Sequence, residues 1–144
     1  MTPDGLAALE AFAAFPDRLA LAVLAAVERP VPDGEWTPEQ VARHLIAVEI
    51  EVHHRRVDDL AREPSPHWSW TEPGPWDGES ELGLAGVLDR FAQVRAATVA
   101  LARSMDDAAW GRTGKHEVYG DLDGDGLIAL AASHDEEHLT ALRG

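Results

Sequence analysis

The chain has 144 residues, no cysteine, and 26 acidic against 12 basic side chains, a formal charge of −14. That length supports one hydrophobic core without staples, and the missing thiols exclude disulfides, thiolate metal sites and a cysteine nucleophile. The few basic residues are scattered, which argues against nucleic acid and anionic membrane as partners, because both demand basic patches.

Apolar residues make up 45% of the chain, chiefly Ala and Leu with few β-branched residues beyond Val, a composition that favours helices over sheet. No window approaches the roughly 20 apolar residues of a membrane span, and the start Met1-Thr2-Pro3-Asp4-Gly5 carries no charged n-region and no signal-like apolar run. One soluble, cytoplasmic domain over residues 1–144 is expected.

The first helix is read from about Asp4 to Glu28, with Leu6, Leu9, Ala13, Ala20, Val23, Leu24 and Val27 inward. Pro16 predicts a kink or restart at Phe15-Pro16-Asp17, since proline removes a ladder donor and disfavours helix at the residue before it. Arg29 to Gly34 is a linker. The second helix carries a capping box in Thr37-Pro38-Glu39-Gln40, with Pro38 at its first position and Trp36 and Val41 at staple positions. Val41, Leu45, Val48 and Val52 form its apolar stripe. His44 lies on the edge of that stripe, and Glu51 lies two turns further along the same edge. His53 and His54 point away from it.

Residues 63–80 hold four prolines and three tryptophans. A connection this long is more often functional than idle, and its aromatics would either cover a pocket mouth or patch an exposed end of the core. The third helix, about Glu79 to Ser104, places Leu84, Val87, Leu88, Phe91, Val94, Thr98, Leu101 and Met105 inward, with Arg95 inside the stripe. Arg95 reads as a snorkelling side chain paired with an acid or, more sharply, as a group holding a substrate anion. A glycine-rich loop from Trp110 to Gly120 leads to Asp121-Leu122-Asp123-Gly124-Asp125-Gly126, the first half of an EF-hand loop. The twelfth position is Ala132 where the bidentate Glu belongs, so a turn capping the last helix through Asp125 is expected instead of a calcium site.

In that last helix Leu127, Leu130, Ala131, His134, His138, Leu139 and Leu142 fall at helical spacing, so two histidines four apart face the core together. Buried imidazoles need partners, and one divalent cation satisfies two at once. His44 supplies a third from the facing helix, the way bundles commonly build metal sites. Three neutral imidazoles without a fourth protein ligand leave positions free, the catalytic rather than the structural pattern. His44, His134 and His138 are therefore the expected metal ligands for zinc, nickel or iron, zinc first. Glu51 is the candidate general base and Arg95 the candidate substrate-holding group. Asp135, Glu136 and Glu137 mostly face outward, one of them able to orient a ligand imidazole. His53, His54, His67 and His116 read as surface or loop residues without a role.

Two stretches resemble the DinB/YfiT-like family of metal-dependent proteins. Gly34-Glu35-Trp36-Thr37-Pro38-Glu39-Gln40-Val41-Ala42-Arg43-His44-Leu45 looks like the family's tryptophan, capped helix and first metal histidine, and Ser133-His134-Asp135-Glu136-Glu137-His138-Leu139 like its closing helix. The segment from Gly120 to Gly126 departs from the pattern in being more acidic and glycine-rich. The resemblance implies an all-α four-helix bundle, often a homodimer, with a divalent metal held by three histidines and water. It also implies a small-molecule substrate. Members of the family include transferases that join low-molecular-weight thiols to electrophiles and a thiol-dependent isomerase. A metal-dependent hydrolase is the alternative on the same site, and a non-catalytic bundle holding a small ligand under Trp68, Trp70 and Trp76 is the third reading.

Overall fold

The computed structural model describes residues 1–144. Helix α1 (Pro3–Ala26) begins at Thr2, whose hydroxyl accepts the Gly5 N–H at 3.0 Å. Of the kink or restart expected at Pro16, the restart does not occur, and α1 continues through the proline. Pro16 has no N–H to offer the Phe12 carbonyl one turn back, but Arg95 Nη1 donates to that carbonyl at 2.8 Å. A donor from another helix thus replaces the missing rung, and local sequence cannot announce it.

Helix α2 (Pro38–Val48) starts as its capping box dictates: Thr37 Oγ1 accepts from Gln40 N–H at 3.1 Å, and Gln40 Oε1 accepts from Thr37 N–H at 2.8 Å. It runs into a π-helical turn, Glu49–His53, and then α3 (His54–Arg62). The wider turn inserts one residue into the α-helical rhythm, so every side chain after Val48 is rotated from where a 3.6-residue period would put it. Helix α4 (Leu84–Ser104) begins at Gly83, later than the expected Glu79, and the short α5 (Asp107–Trp110) follows. Helix α6 (Gly124–Arg143) is capped by Asp123, not by Asp125 as expected; the Asp123 carboxylate accepts from Gly126 N–H at 2.8 Å. Asp125 instead accepts from Trp110 Nε1 and Thr2 Oγ1, each at 2.7 Å, tying the start of α1 to the start of α6.

The four long helical segments form an all-α bundle in which α1 lies against α6 and α4, and α2 against α4. Phe15, Leu19, Val23, Leu45, Phe91 and Leu139 close one half of the core, and Leu9, Phe12, Val57, Val99, Trp110 and Ile128 the other. No helix is long and apolar enough to cross a membrane.

A small sheet, not foreseen from the sequence, is attached to the bundle. Strand β1 (His67–Trp68) pairs in parallel with β2 (Gly114–His116), which pairs antiparallel with β3 (Gly120–Leu122). Strands of two or three residues are too short to show an alternating pattern. Trp68 is buried beneath Gly114, where a Cβ would come within 2.2 Å of the indole, so glycine is required there. The 63–80 connection is fastened at its other end by Arg43, which donates to the carbonyls of Gly78 at 2.9 Å and Glu79 at 3.2 Å. Of the two alternative roles expected of its tryptophans, patching the core is the one seen. Trp68 and Trp76 pack against the core, and the exposed Trp70 lines a cavity.

Candidate metal centre

Capping fixes the start of α2 and hence the side on which His44 emerges. The His44 ring is fully buried, with the Trp36 indole against it at 4.7 Å between centroids. Its Nδ1 lies 2.7 Å from the Pro73 carbonyl. A carbonyl can only accept, so Nδ1 carries the proton and Nε2 is left as a bare lone pair. That Nε2 is buried and has no hydrogen-bond partner. The Trp-rich connection therefore sets the tautomer of the first histidine, the kind of outer contact that makes an imidazole a good ligand.

One turn apart on α6, His134 and His138 bring their Nε2 atoms to 3.3 Å from each other, and the ring centroids of His44 lie 5.9 and 4.8 Å from theirs. Ligand atoms from all three residues fall within 4.8 Å of one another. Burial, and secondly the other imidazoles, push His134 and His138 down to about 4. Burial also lowers His44, against the opposing pull of the Pro73 carbonyl. All three rings are thus neutral near pH 7, the form that binds a cation. An orphaned buried nitrogen, a fixed tautomer and three converging imidazoles fit a divalent ion.

A second set of ligand-type side chains, His53, His134 and Asp135, is equally close. Its carboxylate is committed elsewhere. Asp135 accepts from Arg95 Nη1 and Nη2, each at 2.8 Å, and Arg95 Nε donates to Glu49 at 2.8 Å. All three of these side chains are at most 1% exposed, and the guanidinium carbon sits 3.5 Å from the centre of the Phe12 ring. Burial raises Asp135 to about 6, with Arg95 opposing the rise. This network corrects two expectations. Arg95 is paired with acids as expected, but it does not snorkel or line a cavity; it is sealed inside, with its donors spent on Glu49, Asp135 and the Phe12 carbonyl. Asp135 does not face outward, because Arg95 turns that face of α6 inward and so fixes the direction of its neighbour His134.

Glu51 is not brought to the histidines. It is exposed and lines, with Arg55 and Glu63, a groove that contains none of the three histidines and meets the cavity beside His134 at Arg56. The carboxylate that His44 and His138 do sense is Glu72, beside Pro73, which favours their protonated forms. Sequence reasoning passed over Glu72 because only the folded connection carries it there. His53 also departs from expectation: it packs edge-on against Phe12 and His134 at 5.8 and 5.7 Å, with a buried Nε2 that has no partner. His54 lies 3.1 Å from the Thr98 hydroxyl, and His116 is buried in the β2–β3 hairpin. The π-helical turn accounts for His53 and His54, and long-range strand pairing accounts for His116. His67 is exposed, as expected.

A cavity of about 90 Å³ opens beside His134, walled by His53, Arg56, Trp70, His116 and Tyr119 among others. Of the three clustered histidines, His134 is the one that lines it.

The fold resembles two solved structures. YfiT from Bacillus subtilis, described as a probable metal-dependent hydrolase with an unusual four-helix bundle topology, aligns with a TM-score of 0.68 at 22% identity, over 99% of this chain and 87% of that one. TT2238, described as a four-helix bundle protein, aligns with a TM-score of 0.63 at 26% identity, over 96% of this chain and 98% of that one. No curated protein matches. The family model of the DinB superfamily matches residues 7–142, nearly the whole sequence, and this chain belongs to the DinB superfamily.

Proposed function

We propose that the protein is a metal-dependent enzyme in which His44, His134 and His138 hold one divalent cation, zinc first among zinc, nickel and iron, beside a cavity for a small molecule. The observation that carries this reading is the buried Nε2 of His44, bare and unpartnered while Pro73 holds its other nitrogen. When bound, such an ion lowers the pKa of a thiol or a water and so makes it nucleophilic at neutral pH. The chain's own residues do the rest. Pro73 holds the His44 tautomer, the Arg95 network fixes the rotation of α6, and Trp36 keeps water from the outer face of His44.

The finer reading is transfer of a low-molecular-weight thiol to an electrophile. The sequence has no cysteine, so the thiol comes from a small molecule. The two core carboxylates, Glu49 and Asp135, are both bound to Arg95 and sealed from solvent, and only Glu49 Oε2 lacks a partner. Neither lines the cavity beside His134, as a general base would. A thiol needs less help than water in losing its proton, since its ordinary pKa is near 8.5. Hydrolysis is the second reading, favoured by Glu72 on the rim of the cluster and by the description given to YfiT.

The test is a paired assay on metal-loaded protein. Small thiols with an alkylating electrophile are followed by thiol loss, and ester and amide substrates are followed by release of acid. Metal-dependent thiol consumption that disappears in His138→Ala supports transfer. Metal-dependent acid release without thiol selects hydrolysis. Neither activity in protein that binds metal stoichiometrically leaves a non-catalytic binding bundle and overturns the enzyme reading.

A further inference from the structure

In a chain of formal charge −14, Arg56 is half-buried, lines the cavity beside His134, and forms no ion pair. Burying an unpaired guanidinium is costly, and with 26 acidic residues available its isolation is unusual. Its Nη2 donates to the Ser69 carbonyl at 2.9 Å and stands 3.2 Å from Nε2 of His116.

The state of His116 follows from its other nitrogen. Nδ1 faces the backbone N–H groups of Val118 at 3.0 Å and Tyr119 at 3.2 Å, both of which can only donate. Nδ1 is therefore the acceptor, and in the neutral ring the proton sits on Nε2. Two donors, Arg56 Nη2–H and His116 Nε2–H, then face each other with no acceptor between them. An anionic oxygen bridging the two would relieve the conflict and partner the arginine. Burial works in the same direction, lowering the pKa of both groups and so penalising their charged forms until an anion arrives.

The surroundings suit such a guest. The cavity of about 90 Å³ has room for about three waters at roughly 30 Å³ each, or for one carboxylate group. Tyr119 packs on the His116 ring at 4.8 Å between centroids, and Trp70 is part of the lining. Glu137 also lines the cavity, and Glu51, Asp59 and Glu63 line the adjoining groove, but none of them forms an ion pair with Arg56. The planar fork of an arginine matches a carboxylate in two-point contact.

We propose that Arg56 and His116 form an anion subsite that grips a carboxylate of the substrate next to the histidine cluster, so that the substrate class is a small electrophile bearing a carboxylate. The catalytic meaning of this subsite rests on the metal-enzyme reading; the binding itself does not. The test is side-chain NMR of the full chain, stripped of metal, titrated with acetate and with its neutral isostere acetamide at constant ionic strength. Acetate should shift the Arg56 and His116 signals saturably, and acetamide should not. Arg56→Gln should weaken acetate binding by about tenfold or more, with Arg56→Lys in between, since a charge-assisted bond is lost in the first and only the fork geometry in the second. His44→Ala, which removes a metal ligand, should leave acetate binding unchanged. Equal response to acetamide, or Arg56→Gln binding acetate as well as the parent, overturns the subsite. If Arg56→Gln fails to fold, the contrast between acetate and acetamide in the parent decides the matter. Acetate bound through Arg56 in a protein that takes up no metal would sink the metal reading alone.

Discussion

Two polar clusters sit side by side in one core, reached from consecutive residues of α6, and they differ in what they leave undone. Asp135 belongs to a network in which Arg95 spends its donors on Asp135, Glu49 and the Phe12 carbonyl, so that a single oxygen of Glu49 remains without a partner. His134 belongs to a cluster in which His44 Nε2 and His134 Nδ1 have no partner. The first is sealed at no more than 1% exposure, whereas His134 and His138 are half-buried, and the two differ in satisfaction as well. A buried polar group that is paired holds a fold together, and one left open calls for an explanation, such as a bound ion. The first cluster aims the second, because the ion pair fixes the rotation of the helix that carries both.

The comparison breaks most visibly at Arg95. Arg95→Met leaves two carboxylates buried without a counter-charge and the Phe12 carbonyl without a donor, and should cost about 3–5 kcal/mol in urea unfolding. A loss below about 1 kcal/mol would mean that the network does not organise the core.

Acidification separates the clusters by sign. His134 and His138 are held at about 4, below their ordinary 6.5, so the unfolded chain takes up protons first. Their contribution to stability is complete above 6.5 and is lost as pH falls toward 4. Asp135, raised to about 6 from 3.8, acts oppositely: its contribution is complete below 3.8 and is lost as pH rises through 6. Two lowered imidazoles, joined by His53, which burial also lowers, outweigh one raised carboxylate. Metal-stripped protein should therefore melt at a lower temperature at about pH 5 than at about pH 7. In His134→Gln the difference should shrink, and an unchanged difference would assign it to other groups.

Smaller effects mark how each cluster is aimed. Thr37→Ala removes the cap that sets the direction of His44, and should cost about 1 kcal/mol in thermal or urea unfolding. Millimolar calcium should leave the melting temperature where it is, because Asp123 is spent capping α6 and Asp125 on Trp110 and Thr2. A clear rise with calcium would restore the acidic loop as a site.

What could be read from the sequence divides along the same line between local and distant physics. The start of α2 was legible because a capping box is a four-residue affair, and Gln40 and Thr37 satisfy each other without help from the rest of the chain. His134 and His138 were legible on one face because nothing interrupts the helical period between them. The continuity of α1 through Pro16 could not be read because the donor that replaces the missing rung lies 79 positions away in sequence, at Arg95. His53 and His54 misled because the π-helical turn Glu49–His53 shifts the phase that places them. Asp135 looked like solvent-facing charge because only its contact with Arg95 says otherwise. The sheet was invisible for want of length, and with it the burial of His116 and the cavity wall it forms.

The central claim is that the histidine cluster is an open site for one divalent cation. Its most direct test is elemental analysis by mass spectrometry of protein purified without a histidine tag, alongside His44→Ala, His134→Ala and His138→Ala. The account predicts about one equivalent of zinc, nickel or iron in the parent and its loss in each of the three variants, all of which should keep a helical fold. A parent that takes up no metal even after reconstitution, or a variant that retains the full equivalent, would contradict it.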